Sequence, residues 1–149
     1  MDTTKVRVLV CGGRDYDNRE ELYAVLDWID CSWEGPGTFG PITVIISGHA
    51  KGTDTLAEQW AKKREVSLEI YPAEWDVYGK GAGFIRNQQM IDEGLPDLVV
   101  AFSGGKGTLN MLTLANRANI TIYNVSDSNG WTPRAKRVNL LEGYNERLR

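Results

Sequence analysis

An apolar run that ends in a cluster of glycines constrains this chain more than any other feature. The run Leu98–Phe102 is followed, after one serine, by Gly104, Gly105 and Gly107. Apolar residues then recur at helical spacing, at Met111, Leu112, Ala115 and Ala118. The pattern predicts a buried strand over Leu98–Phe102 and a helix over Thr108–Ala118. The glycines between them either make a tight structural turn or bring backbone N–H groups and the positive start of a helix against an anion.

Two named phosphate-binding motifs are absent from this junction. A Walker A loop requires Ser or Thr after its lysine, whereas Lys106 is followed by Gly107. The dinucleotide fingerprint Gly-x-Gly-x-x-Gly requires a glycine where Asn110 stands. The sequence therefore indicates neither an ATPase nor an ordinary NAD-dependent dehydrogenase, and it predicts no cofactor.

The composition is typical of a soluble globular protein with one domain. Of the 149 residues, 42% are hydrophobic and 25% are charged, which is enough to bury a core. No apolar run approaches the ~20 residues of a membrane span, and the first residues do not begin a signal peptide, so we expect a cytoplasmic protein without a membrane partner. Two cysteines and one histidine do not form a metal-ligand cluster, so no metal is predicted.

The net charge is −3 and the pI is about 5.2. Tight nonspecific binding to a polyanion requires a basic surface, so the charge argues against nucleic acid as the partner. It is compatible with one small phosphorylated ligand in a locally positive pocket. The sequence is compatible with a homo-oligomer as well as with a monomer.

Alternating strands and helices predict an α/β fold. The predicted strands are Lys5–Cys11, Ile42–Ile46, Ser67–Tyr71, Leu98–Phe102 and Thr121–Val125. One helix is predicted over Arg19–Ser32 with Asn18 as N-cap, and a second helix is predicted with either Thr53 or Asp54 as its cap. A third helix is predicted from Arg86 to a stop at Gly94, and a fourth over Thr108–Ala118. This alternation predicts a parallel sheet of about five strands between two helical layers, a three-layer sandwich. Residues 126–149 are predicted to be a polar C-terminal extension of the single domain 1–149, with a short helix around Leu140, Leu141, Tyr144 and Leu148.

The glycine-rich and polar loops follow the predicted strands. They are Gly12–Asp17, Gly48–Asp54, Pro72–Arg86 and Ser103–Thr108. Ligands of such sheets bind at the carboxyl ends of the strands, so we expect a ligand site there. In the long segment Pro72–Gly83, which has no periodic pattern, Trp75 and Tyr78 either stack on a base or cover the edge of the sheet, and Lys80 is positioned for a phosphate.

Six ordered segments resemble one family: Gly12–Tyr16, Ser47–Asp54, Pro72–Trp75, Tyr78–Lys80, Gly83–Asn87 and Phe102–Thr108. The chain resembles the YspA/YpsA-like branch of the SLOG superfamily, which also contains the lonely-guy phosphoribohydrolases and DNA-processing protein A. The resemblance implies a Rossmann-like fold that binds a nucleotide or a nucleotide-derived small molecule, in a protein of bacterial or phage type.

The resemblance also assigns residues. Arg86 matches the arginine of the phosphoribohydrolases, and Gly104, Gly105, Gly107 and Thr108 match their phosphate loop. Together with the loops that follow the strands, this gives the predicted ligand-binding set: Gly12, Gly13, Arg14, Ser47, Gly48, Lys51, Gly52, Thr53, Asp54, Trp75, Tyr78, Lys80, Arg86, Asn87, Gly104, Gly105, Lys106, Gly107 and Thr108.

At one position that bears on catalysis, the sequence differs from the resembled enzymes. The glutamate that the resembled enzymes carry three residues after the threonine is Met111 in this chain. The leading interpretation is therefore a binding protein or ligand sensor. The alternative is a hydrolase of nucleoside phosphates or ADP-ribose-like compounds, in which Glu74, Asp54 or Asp76 substitutes for the missing glutamate. A single-stranded nucleic-acid binder is the third interpretation.

Overall fold

The computed structural model of the chain describes residues 6–31 and 41–125. The strands are β1 (Val6–Cys11), β2 (Ile42–Ser47), β3 (Ser67–Ile70), β4 (Leu98–Ala101) and β5 (Thr121–Asn124). The helices are α1 (Arg19–Cys31), α2 (Thr53–Lys63), the single turn α3 (Trp75–Tyr78), α4 (Ala82–Asp92) and α5 (Lys106–Arg117), with a 3₁₀ turn over Gly79–Gly81. The predicted Lys5 and Ser32, and the C-terminal extension 126–149, lie outside the described residues.

The strands of the described residues form one parallel sheet in the order β3-β2-β1-β4-β5. The central strand β1 pairs with β2 on one side and with β4 on the other. The strand order therefore reverses between β1 and β4, which makes the carboxyl ends of these two strands a topological switch point. The predicted α/β architecture with a central parallel sheet is confirmed.

Successive side chains of a strand point to opposite faces of the sheet, so the strands contribute to two cores. Val8 and Val10 of β1 pack on one face with the buried residues of α1 and α2, whereas Leu9 and Cys11 pack on the other face with Met90 of α4 and the buried residues of α5. Both faces of β1 are apolar because both are covered, as parallel sheets require. The result is the predicted three-layer sandwich.

The first helix agrees with its sequence pattern. Its apolar side chains recur at helical spacing and are fully buried: Leu22, Val25, Leu26 and Ile29. The Glu21 N–H donates to Asn18 Oδ1 at 3.1 Å, so Asn18 caps the helix as predicted. Local patterns were sufficient for this helix because the cap and the apolar face lie within one short segment.

The second helix corrects a prediction. Gly52 occupies its N-cap position and makes no side-chain cap bond, so the expectation of a cap from Thr53 or Asp54 is wrong. The Thr53 hydroxyl donates instead to the Gly13 carbonyl oxygen at 3.0 Å, and the Asp54 carboxylate accepts from the Ala50 N–H at 3.1 Å. Both side chains serve contacts in the loops rather than the helix end.

Other boundaries also differ from the predictions. The segment Pro72–Gly83, predicted to be without periodic structure, contains α3 and the 3₁₀ turn, and α4 begins at Ala82 rather than at Arg86. The last helix begins at Lys106, two residues early, and Ala118 is exposed just beyond its end. Among the helices of residues 6–31 and 41–125, none combines the length and apolarity needed to cross a membrane.

Candidate ligand-binding cavity

The loops that follow β1, β2 and β4 meet at the carboxyl edge of the sheet and surround a cavity of about 440 Å³. Its lining comes from the end of β1 and from five loop or helix segments: Val10, Cys11, Gly12, Gly13, Arg14, Ala50, Asp54, Trp75, Lys80, Gly83, Phe84, Arg86, Asn87, Met90, Gly105, Lys106, Gly107 and Thr108. The cavity lies at the switch point, where open α/β sheets bind ligands.

Gly13 ties three of these loops together. Its N–H donates to the Ser103 carbonyl oxygen at 2.8 Å. Its own carbonyl oxygen accepts from the Thr53 N–H at 3.2 Å and from the Thr53 hydroxyl at 3.0 Å. The glycine loops are therefore fixed relative to one another, which preorganises the cavity wall before a ligand arrives.

Two glycines permit this close approach. Gly52 has a φ of 77° and packs against the carbonyl oxygens of Gly13 and Arg14, which a Cβ atom would strike. At Gly104, a Cβ atom would lie 2.7 Å from the Gly13 nitrogen. Neither glycine lines the cavity. Their role is to let the loops pack, which agrees with the structural interpretation of these two glycines. Gly105 and Gly107, in contrast, line the cavity.

Arg86 is held on two sides. Its guanidinium donates to the Gly48 carbonyl oxygen and, through Nε, to Asn87 Oδ1 at 3.1 Å. Asn87 Nδ2 donates in turn to the Gly107 carbonyl oxygen at 3.2 Å and to Asn110 Oδ1 at 2.9 Å. Burial lowers the pKa of Arg86, and Asp54 partly offsets this, but an arginine stays charged in proteins. The cavity thus contains a fixed positive charge.

The cationic side chains among the described lining residues are Arg14, Lys80, Arg86 and Lys106. They line the same cavity as the first turn of α5, whose N–H groups have no partner within the helix. The Arg14 guanidinium lies 5.5 Å from the centre of the Trp75 ring, a cation–π distance. The cavity is therefore locally positive in an acidic chain.

Among the described residues that line the cavity, Asp54 provides the one carboxyl group. It is only 8% exposed, and its Oδ2 accepts the Ala50 N–H. Burial raises the pKa of this carboxyl to about 6, against the opposing effects of the Ala50 hydrogen bond and of the Arg86 charge. Desolvation disfavours the charged form of an acid, so Asp54 titrates near neutral pH.

A second buried acid lies on the same helix as Asp54. Glu58, one turn further along α2, is 7% exposed. It accepts a hydrogen bond from the Ser47 hydroxyl at 2.7 Å and contacts His49 Nδ1 at 3.1 Å. Glu58 is not among the predicted site residues, although its spacing of four residues from Asp54 puts both acids on the inner face of one helix.

The structure brings most of the predicted site residues together: Gly12, Gly13, Arg14, Asp54, Trp75, Lys80, Arg86, Asn87, Gly105, Lys106, Gly107 and Thr108 line the cavity. The predicted residues that do not line it are Ser47, Gly48, Lys51, Gly52, Thr53, Glu74, Asp76, Tyr78 and Gly104. Ser47, Gly48, Gly52, Thr53 and Gly104 support the loops through their hydrogen bonds and close packing. Glu74 and Tyr78 line a neighbouring depression that shares Arg86 with the cavity, and Asp76 is exposed.

The lining also contains residues that were not predicted for it. Gly83 and Phe84 come from the start of α4 and belong to Gly83–Asn87, one of the six segments that resemble the family. Cys11 also lines the cavity and is buried. Burial raises the pKa of its thiol, and Asp54 adds to the effect, so the thiol is neutral. Within residues 6–31 and 41–125, no group of three or more His, Cys, Asp or Glu side chains is arranged to hold a metal ion.

Met111 lies in the core and not in the cavity lining. It is 1% exposed and packs in the cluster that contains Leu9, Cys11 and Met90. The position at which the resembled enzymes carry glutamate therefore serves packing in this protein.

These features define a class of protein: an α/β protein with a positively charged cavity at the switch point of a parallel sheet. Residues 6–78 match the model of the YspA, cpYpsA-related SLOG family. The Gene 61 protein of Mycobacterium phage D29 is 33% identical over 129 residues, which cover 81% of this chain and 97% of that protein. The chain belongs to the YspA, cpYpsA-related SLOG family.

Solved structures of DNA processing protein A have a similar fold. The protein from Streptococcus pneumoniae gives a TM-score of 0.59 at 19% identity, over 92% of this chain and 56% of that chain. The protein from Helicobacter pylori gives a TM-score of 0.58 at 16% identity, over 93% of this chain and 81% of that chain. This chain therefore spans little more than half of the S. pneumoniae protein. At these identities the likeness shows a shared Rossmann-like fold.

Proposed function

We propose that the cavity binds a phosphorylated, nucleotide-derived small molecule and that the protein is a binding protein or sensor for it. The observation that carries this proposal is the group of four cationic side chains among the described lining residues, at one cavity of an acidic chain. Cations clustered against the overall charge of a protein favour an anionic ligand.

The phosphate is expected at the start of α5. Gly105, Lys106, Gly107 and Thr108 all line the cavity there. The N–H groups of a first helical turn and the partial positive charge of the helix end bind phosphate, and Arg86 adds a charge-assisted contact. The hydrogen bond from Asn87 to the Gly107 carbonyl oxygen connects Arg86 to this helix.

The base is expected against the aromatic side chains of the cavity. Trp75 is 47% exposed and Phe84 is 50% exposed, and both line the cavity. Large aromatic faces that stay exposed beside a cationic pocket are suited to stacking. Tyr78, the other predicted stacking residue, lies at a different depression, so the proposal assigns this role to Trp75 and Phe84.

Thermal denaturation with a panel of nucleoside monophosphates, dinucleotides and cyclic nucleotides tests the proposal. A ligand at about 100 times its Kd adds about 2.7 kcal/mol, which raises the Tm of a domain of this size by roughly 6–10 °C. The same ligand should shift the Tm of Arg86→Ala much less. If no compound of the panel shifts the Tm of the wild type, the proposal is contradicted.

A second candidate function is hydrolysis of an N-glycosidic bond, and the position of Asp54 favours it. Of the three acids considered as substitutes for the missing glutamate, Asp54 lines the cavity, whereas Glu74 and Asp76 do not. A carboxylate near the sugar stabilises the cation-like transition state of such a cleavage. Release of free base from a nucleoside monophosphate, lost in Asp54→Asn, would support this function.

Single-stranded nucleic acid is a third candidate, since the H. pylori protein of similar fold is described by its single-stranded DNA binding mode. The net charge of −3 argues against it. Binding to an oligonucleotide with a steep loss of affinity at rising salt would support this candidate, whereas affinity for a mononucleotide alone would favour the small-molecule proposal.

A further inference from the structure

We infer that Asp54 determines the specificity of the cavity by binding a hydroxyl of the ligand's sugar, so that the site takes a phosphorylated ribose in preference to its deoxy forms. This inference rests on the proposed function, because it concerns the same cavity. It assigns to Asp54 a role in recognition that the positive charge of the cavity does not explain.

The carboxylate of Asp54 has an oxygen available to a ligand. Oδ2 accepts the Ala50 N–H at 3.1 Å, and Oδ1 accepts no hydrogen bond from the described residues. The side chain is 8% exposed and lines the cavity. Its backbone position is fixed because the preceding Thr53 is bonded to Gly13 through both its N–H and its hydroxyl. Asp54 therefore presents an acceptor at a defined place in the wall.

A buried carboxylate is unfavourable in a site that binds only phosphate. It repels the anion, and its removal from water costs free energy. An ionised carboxylate accepts hydrogen bonds and donates none. A ligand group that benefits from Asp54 must therefore be a donor, and the hydroxyl groups of a sugar are such donors.

The neighbours of Asp54 place this donor close to the phosphate end of the ligand. The charged or titratable groups that act on its carboxyl are Arg86 of α4, Glu58 of α2, His49 of the loop after β2 and the Cys11 thiol at the end of β1. Arg86 is the proposed phosphate contact. In a nucleoside 5′-phosphate, the ribose connects the phosphate to the base. The group beside Asp54 is then a ribose hydroxyl rather than the base, which stacks on Trp75 or Phe84.

Calorimetry with AMP, 2′-deoxy-AMP and 3′-deoxy-AMP tests the inference on the wild type, on Asp54→Asn and on the control Asp76→Asn. Asp76 is an exposed acid outside the cavity lining. We expect the wild type and Asp76→Asn to bind AMP about 10- to 100-fold more tightly than at least one deoxy analogue, as a hydrogen bond to a charged group allows. In Asp54→Asn this ratio should fall clearly, because a neutral amide oxygen accepts a weaker hydrogen bond than a carboxylate does.

The ratio of two ligands on one protein cancels changes in overall stability and in phosphate ionisation. Asp54→Ser, with the same three ligands, replaces Asp54→Asn if that variant does not fold. Equal affinity of the wild type for all three ligands overturns the inference and leaves the proposed function standing. A preference of unchanged size in the Asp54 variant that is measured also overturns it. Failure of the wild type to bind any of the three overturns the inference, and the wider nucleotide panel then decides the proposed function.

Discussion

Asn87 holds Arg86 and the start of α5 together. Its Oδ1 accepts from Arg86 Nε at 3.1 Å, while its Nδ2 donates to the Gly107 carbonyl oxygen and to Asn110 Oδ1. Asn87 is 5% exposed. One buried amide therefore fixes the geometry between the positive charge and the helix end that are proposed to share the phosphate.

Arg86→Ala should weaken binding of the nucleotide found in the panel by roughly 1.5–3 kcal/mol, because a charge-assisted contact to phosphate is lost. The matched control is Arg117→Ala, an exposed arginine at the far end of α5. Isothermal titration calorimetry measures both variants. Equal affinities for the two would remove Arg86 from the site.

Asn87→Ala should lower both the affinity and the stability. Its three hydrogen bonds anchor Arg86 and α5, so we expect a loss of roughly 1–3 kcal/mol in the free energy of unfolding and weaker ligand binding. Asn116→Ala, at an exposed position of α5, is the control. Urea denaturation measures the free energy of unfolding, and calorimetry measures the affinity for the ligand. An Asn87→Ala protein that loses stability but keeps its full affinity would show that Asn87 does not position Arg86.

The stability contributed by Asp54 should depend on pH. Its folded pKa is about 6 against an ordinary value of 3.8, so the folded state holds its proton more tightly than the unfolded state. Stability is therefore lost as the pH rises from about 4 through 6, by roughly 2–3 kcal/mol in all. Asp54→Asn should be more stable than the wild type at about pH 7.5, and the difference should shrink towards pH 4.5.

Thermal denaturation across this pH range measures that difference, with Asp76→Asn as the control. A difference for Asp54→Asn that is constant across the range, or that grows towards acid pH, would show that Asp54 is not a buried acid of raised pKa.

Thr53→Val should destabilise the loops by about 1 kcal/mol, because the hydroxyl that donates to the Gly13 carbonyl oxygen is removed from a buried site. The shape of the side chain is retained. Thr113→Val, an exposed threonine whose hydroxyl bonds within α5, is the control. Chemical denaturation should show the smaller change for Thr113→Val, and the reverse order would contradict the role given to Thr53.

Phosphoribohydrolase activity should be absent or very slow. Methionine offers no charge and no proton, and Met111 lies in the core. Loss of a charge-stabilising group typically costs ~10²–10³ in rate. Incubation with nucleoside monophosphates, followed by chromatography of the free base, measures the activity. Turnover at ordinary enzyme rates that Asp54→Asn abolishes would promote the hydrolase function, and Asp76→Asn is the control for a specific effect.

The sequence by itself determined the layers of this protein. Apolar runs alternating with helical patterns predicted the parallel sheet, and Asn18 with the apolar face of α1 predicted the first helix correctly. These signals are local, because a cap or a strand is encoded within a few consecutive residues. The glycine-rich loops after the strands indicated the edge at which the cavity lies, because parallel strands all end on the same side.

Tertiary structure alone decided which side chains reach the cavity. Trp75 lines it and Tyr78 does not, although they lie three residues apart in α3. Thr53 bonds to Gly13 across 40 residues of sequence. Burial among packed layers raises the pKa of Asp54, and the charge of Arg86, from another helix, opposes that rise. Such contacts depend on how the layers cross and pack, and no short-range pattern of residues encodes that geometry.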